Sequence, residues 1–246
     1  MDNSYDIILV IGQSNTHQGI GLDYILDRPF DDIKQLGRFN ENNYKIIEAK
    51  EPLDHLSKLP DNIGFALTFA KEYEKAYLKS GRNILIIPGG MGCTGFASNY
   101  WNVGDTLYVD AVERTNYVLK HFNSKLVAIL WHQGEDDIWN MIYQQSLDSM
   151  IVNMRKDITG NNINVPFILG GLVPYWVDQD SNRYLLNRII ENTVIRIAKT
   201  GYANPRIPYV IVKPDNDYIS LHFDAAGQRE MGRRYFSEYK KIVPLK

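Results

Sequence analysis

Ile7-Ile8-Leu9-Val10-Ile11 runs directly into Gly12-Gln13-Ser14-Asn15. An apolar run this short falls well below a membrane span or a signal-peptide core. Its lack of polar alternation instead predicts a strand buried on both faces, which is typical of a parallel sheet covered by helices. Four similar runs occur at 83–88, 126–131, 166–172 and 208–213. Between most of them lie stretches with helical spacing, at 62–79, 106–122, 143–156, 182–200 and, after the last run, 225–240. Strand alternating with helix predicts one α/β domain over residues 1–246, a three-layer α/β/α sandwich of flavodoxin-like form with a mainly parallel central sheet. Residues 19–59, interrupted by Pro29 and Pro52, read as a long surface excursion with one short strand at 44–49.

In such sheets ligands collect at the carboxyl ends of the strands. The unusual polar words of this chain stand there: Gly12-Gln13-Ser14-Asn15 after the first run, Gly89 to Gly95 after the second, and His132-Gln133-Gly134-Glu135 after the third. Ser14 comes just past a buried strand, where a turn exposes a hydroxyl and the next N–H groups face a developing anion. The plainer reading of such a serine is a helix N-cap. His222, in Ser220-Leu221-His222-Phe223-Asp224 ahead of the last helix, has the chemistry of a general base, since a neutral imidazole takes a proton and returns it. Its plainer reading is a solvated loop residue.

Composition narrows the alternatives. Lys+Arg 27 against Asp+Glu 29 gives a net charge of −2, with no electrostatic footprint for nucleic acid or an anionic membrane. The single cysteine, Cys93, excludes an intrachain disulfide and a multi-cysteine zinc site, and reads as a small residue packed beneath a loop. No signal segment or membrane span is legible, so a cytoplasmic location is expected unless export uses another route. Trp131-His132-Gln133-Gly134-Glu135-Asp136-Asp137 crowds one strand end with carboxylates that must be paired or functional. It lacks the second histidine at ligand spacing that a metal site needs. Gly90-Met91-Gly92-Cys93-Thr94-Gly95, with Asp110 or Glu113 downstream, has the glycine spacing of a dinucleotide loop. The next residues, Phe96 to Gly104, make a poor helix start, whereas that fingerprint requires the glycines to open a helix.

Taken in order, these clusters resemble the four blocks of the SGNH hydrolase superfamily. Within it they are similar to the branch of sialate O-acetylesterases and acetylxylan esterases, carbohydrate esterase family six. The likeness runs from Gly12 to Gly232. It rests on Gly12-Gln13-Ser14-Asn15, Gly92-Cys93-Thr94 with Trp101, His132-Gln133-Gly134-Glu135, and Leu221-His222-Phe223 with Gly227-Gln228 and Gly232-Arg233-Arg234 beyond it. It implies a serine esterase that removes O-acetyl groups from a carbohydrate through an acyl-serine, without metal or organic cofactor. Ser14 would be the nucleophile and His222 the base. The N–H groups of Ser14 and Gly92 and the side-chain amide of Gln133 would form the oxyanion hole, with Asn15, Trp101 and Glu135 lining the substrate site.

Two positions depart from the family pattern. Cys93 stands at a usual glycine, and Ile219 stands where members carry the acid that orients the histidine. Asp217 is the favoured replacement and Glu135 the second, with Asp215 and Asp224 also in reach; a dyad backed by a backbone carbonyl is the alternative. Tyr100, Trp101, Trp139, Tyr175 and Trp176 are candidates for stacking on a sugar or for packing. The partner expected is an acetylated carbohydrate. The rivals are an impaired esterase fold that only binds glycan, and a lipase or thioesterase on the same scaffold.

Overall fold

A computed structural model describes residues 4–160, 162–207 and 221–245. Its strands are β1 (Ser4–Gly12), β2 (Gly19–Ile20), β3 (Ile33–Leu36), β4 (Ile46–Glu48), β5 (Asn62–Ile63), β6 (Arg82–Gly90), β7 (Asn123–His132), β8 (Phe167–Gly170) and β9 (Thr200–Ala203). The helices are α1 (Ala66–Tyr77), α2 (Thr106–His121), α3 (Tyr143–Asp157), α4 (Pro174–Val177), α5 (Ser181–Glu191), α6 (Thr193–Arg196) and α7 (Ala225–Ile242), with short 3-10 turns that include Ser14–Thr16 and Glu135–Asp137.

Seven strands form the main sheet in the order β4-β3-β6-β1-β7-β8-β9. Read in chain order, β1, β6, β7, β8 and β9 give 2-1-3-4-5, the flavodoxin-like arrangement. Among the described residues, β4 is the one strand of this sheet that runs antiparallel to its neighbour. Helices α1 and α7 pack together on one face, while α2, α3 and α5 cover the other. Each of Ile7 to Ile11 is fully buried between these layers, which explains why the first run carries no polar alternation.

The excursion holds more than the one strand expected of it. It lays β3 in parallel against β6 and folds β4 back on β3. Strand β9 falls at the end of the stretch with helical spacing 182–200. That stretch is divided into α5, which ends at Glu191, and α6, which ends at Arg196, and Lys199, at φ +58°, turns the chain so that Thr200 pairs with Phe167. The run at 208–213 lies outside the described residues.

Buried Glu51 anchors the excursion, accepting the Leu53 N–H at 3.0 Å and the Gly64 N–H at 3.3 Å. Burial pushes its pKa up to about 8 despite these bonds. The unfolded chain therefore releases this proton near pH ~4.5 while the fold keeps it, so the stability it confers is full below that value and is lost as pH rises through 8. Glu51→Gln does not titrate. Its urea midpoint relative to wild type is expected to climb between pH ~4.5 and about 8 and then level off; a pH-independent difference would refute this account.

Candidate active site

Strands β1, β6 and β7 end level, because Gly12 pairs with Gly90 on one side and with His132 on the other. The three polar words therefore leave the sheet side by side, at the switch point where β6 and β7 flank β1. Gly12 has φ +127°, and a Cβ there would lie 2.1 Å from the His132 carbonyl oxygen, so only glycine fits this crossing. Immediately after it, the Gln13 N–H donates to His132 O at 2.8 Å. Gln13 Oε1 accepts from Gly134 and Asp136 N–H, tying the first word to the third.

Ser14 opens a 3-10 turn and is 4% exposed. Its Oγ lies 2.8 Å from His222 Nε2. The histidine is delivered by the start of α7, where the Asp224 carboxylate caps the helix by accepting the Gly227 N–H at 2.7 Å. That cap is the role Asp224 plays here. Asn15 brackets the histidine: its Nδ2 donates to Leu221 O at 2.7 Å and its Oδ1 accepts from Phe223 N–H at 3.0 Å. Asn15 is fully buried, so it holds the histidine loop and does not line a substrate surface as the sequence suggested.

The second word contributes bare backbone. A Cβ on Gly92 would sit 3.8 Å from Ser14 Cβ and 3.1 Å from Gln18 Nε2. Among the described residues, no protein acceptor takes the N–H of Ser14 or of Gly92. Cys93, the departure from glycine, adopts φ +57°, so it keeps the left-handed backbone that glycine favours. It is exposed rather than packed under the loop. Helix α2 begins only at Thr106, so these glycines do not open a helix.

Gln133 is placed differently from the expectation. Its Nε2 donates to Asp137 Oδ2 at 2.7 Å and to Thr94 O at 3.3 Å. An amide nitrogen carries two hydrogens, and both are directed at these acceptors, so the side chain braces the loop instead of reaching a developing oxyanion. The centre of this brace is Asp137, a residue that the sequence motifs do not single out. It is 1% exposed and also accepts from Phe96 N–H at 2.7 Å, Ala97 N–H at 2.8 Å and Asn140 Nδ2 at 3.0 Å. Gly95 must stay small because a Cβ there would meet Asp137 Oδ2 at 2.4 Å. The crowding of carboxylates after β7 was the available signal.

Three buried histidines lie near the pair. His132 Nδ1 lies 3.1 Å from the Tyr235 hydroxyl, which itself donates to Trp131 O at 2.7 Å. The hydroxyl therefore accepts from His132, leaving its proton on Nδ1. Burial, and then nearby His222, depress the His132 pKa to about 3. His17 is held at about 3 by the same two causes, and His55, stacked on it at 4.7 Å, is held well below the ordinary histidine value by burial. Both rings are neutral spacers beneath the loops, and neither was legible as such in the sequence. A cavity of about 840 Å3 lined by Phe39, Glu48, Asp54, Ser57 and Lys58 lies beside the constellation. Ser57 Oγ connects it to His17 Nε2 at 3.0 Å.

The aromatic candidates divide. Trp101 is fully buried, donating from Nε1 to Thr94 Oγ1 at 3.1 Å and meeting Trp131 edge-on. It supports the Gly92 loop and has no face for a sugar. Trp176 is also buried, under the Arg183 guanidinium. Tyr100 and Tyr175 are half-buried, and Trp139 is 70% exposed. Asp217, with Asp215 and Ile219, lies outside the described residues.

Known proteins share this fold. The fold matches NanS with a TM-score of 0.82 at 20% identity over 98% of both chains. It also matches a carbohydrate acetylesterase of Xanthomonas citri with a TM-score of 0.69 at 16% identity, over 97% of this chain and 56% of that one. A protein of Arabidopsis thaliana named probable carbohydrate esterase is 30% identical over 117 residues, 45% of this chain and 44% of that protein. The family model described as "Carbohydrate esterase, sialic acid-specific acetylesterase" matches residues 4–241. By that match, which takes in all three strand-end words and the His222 loop, the chain belongs to this carbohydrate esterase family.

Proposed function

We propose that this protein hydrolyses O-acetyl esters of a carbohydrate by two-step acyl transfer, with Ser14 as nucleophile and His222 as general base. The observation that carries the reading is the 2.8 Å approach of Ser14 Oγ to His222 Nε2 at the switch-point rim. In the first step Oγ attacks the acetyl carbonyl carbon while Nε2 takes its proton. The resulting oxyanion is met by the N–H groups of Ser14 and Gly92, each such donor contributing roughly 100- to 1000-fold to turnover. The imidazolium then protonates the departing sugar oxygen, leaving acetyl-Ser14. Water, activated by the same imidazole, releases acetate and restores the enzyme. Asp217 remains the favoured group to orient the imidazole.

O-acetylated sialic acid is the substrate favoured, since the family description names sialic acid. The test is acetate release from O-acetylated sialic acids, acetylated xylan and long-chain acyl esters, assayed in parallel. Turnover of the sialic acid esters well above the others is expected. Equal, background-level release from all three would overturn the esterase reading, and preference for long acyl chains would replace it with a lipase or thioesterase.

A further inference from the structure

Glu135 is a buried carboxyl of the third word that the mechanism does not use. The sequence offers it as an orienting acid or a substrate contact, yet its side chain is 3% exposed. Its Oε1 accepts from Asn15 Nδ2 at 2.5 Å and lies 3.8 Å from His132 Nε2, while Oε2 is buried without a hydrogen-bond partner among the described residues. The backbone leading to it is pinned as well. Gly134, at φ +157°, is packed so that a Cβ would meet Leu186 at 2.7 Å and Ile190 at 3.0 Å.

Asn15 links this carboxyl to the histidine loop. Its amide has one acceptor end and one donor end, and they are aimed at Phe223 N–H and Leu221 O, the backbone groups on either side of His222. Turned over, the same amide would put oxygen against the Leu221 carbonyl and N–H against the Phe223 N–H, which is repulsive at both ends. The second hydrogen of Nδ2 is the one Glu135 accepts. An acceptor there favours the nitrogen on that side and so selects the amide orientation that grips the loop. The Asn15 backbone is held independently, its carbonyl accepting from Gln228 Nε2 of α7 at 3.0 Å.

We infer that Glu135 is a positioning residue: acting through Asn15, it keeps the His222 loop in register with Ser14. The inference rests on the Ser14–His222 reading. It requires only a hydrogen-bond acceptor at Oε1, not a negative charge, which agrees with burial raising the Glu135 pKa to about 7. An acid that orients the imidazole electrostatically would require the charge.

That difference makes the test. Steady-state hydrolysis of p-nitrophenyl acetate is measured for wild type, Glu135→Gln, Glu135→Ala, Asn15→Ala and the double variant Asn15→Ala/Glu135→Ala, with urea midpoints to confirm folding. Glu135→Gln keeps a carbonyl acceptor and is expected to retain kcat within about threefold. Glu135→Ala and Asn15→Ala are expected to lose roughly 10- to 100-fold in kcat with KM little changed, the scale of a misplaced catalytic group. The double variant should lose no more than Asn15→Ala alone. A Glu135→Gln enzyme as impaired as an orienting-acid variant, or additive losses in the double variant, would overturn the inference. Because Glu135→Gln alone distinguishes the outcomes, the test survives a poorly folding alanine variant. Full activity in Ser14→Ala would instead remove the reading on which the inference rests.

Discussion

Ser14→Ala is expected to lower kcat for acetate release by roughly 10^4- to 10^6-fold while leaving KM and the fold nearly unchanged. In the proposed mechanism this hydroxyl forms the acyl intermediate, whereas substrate binding would draw on the surrounding loops. Structurally the change is mild. Ser14 loses a single side-chain hydrogen bond, to His222, worth about 1 kcal/mol. His222→Ala should fall into the same range, and the double variant should be no worse than either single one, because nucleophile and base act as a unit. The measurements are acetate release on the preferred substrate and the thermal midpoint of each variant. Retention of more than a few per cent of wild-type kcat in folded Ser14→Ala would dismiss the acyl-serine mechanism.

Asp137→Ala is expected to damage both stability and rate. Removing the carboxylate strands the N–H groups of Phe96 and Ala97 and the amide of Gln133, all of which it now accepts. Buried donors left unmatched cost about 1–3 kcal/mol each, so a loss on the order of 3–5 kcal/mol is expected after partial relaxation. The loop that carries Gly92 is fixed at its far end by these bonds. Its N–H should therefore lose its aim at the oxyanion, with a fall in kcat of about 100-fold. Asp137→Asn keeps one acceptor oxygen and should lie between wild type and alanine in both measures. Denaturant midpoints and kcat, taken together, check the account. An alanine variant as stable and as fast as wild type would show that the loop is held in some other way.

How much of this was legible in the sequence depended on whether a feature is a property of residue type or of direction. Strands β1, β6 and β7 were readable because burial on both faces leaves their second halves apolar. The edge was harder. Strand β9 is four residues long and comes after helical spacing without a break in composition; the turn at Lys199, a non-glycine residue at φ +58°, gives no residue-type signal. Strand β3 was hidden in the excursion because Ile33-Lys34-Gln35-Leu36 is too short to show a period.

The site divides in the same way. Ser14 and His222 stand where their words put them, since a strand end and a helix start are written locally. Asn15, Gln133, Trp101 and Glu135 belong to the right words, but a motif does not state which way an amide or an indole faces. Each faces inward, Asn15 to the histidine loop, Gln133 to Asp137, Trp101 to Thr94 and Glu135 to Asn15. Two of those contacts, Asn15 to the histidine loop and Glu135 to Asn15, join segments far apart in the chain, and pairings of that kind appear only once the three strand ends are seen to stop level.

The contact between Ser14 and His222 spans 208 positions, from the end of the first strand to the residues leading into α7. The two ends of the chain must therefore be brought together before the two atoms meet, and a local opening of α7 would separate them while leaving the central sheet in place. Under the proposed mechanism, ester cleavage becomes a report on tertiary closure: a molecule whose last helix has come away would keep Ser14, the Gly92 loop and most of its core, yet be silent.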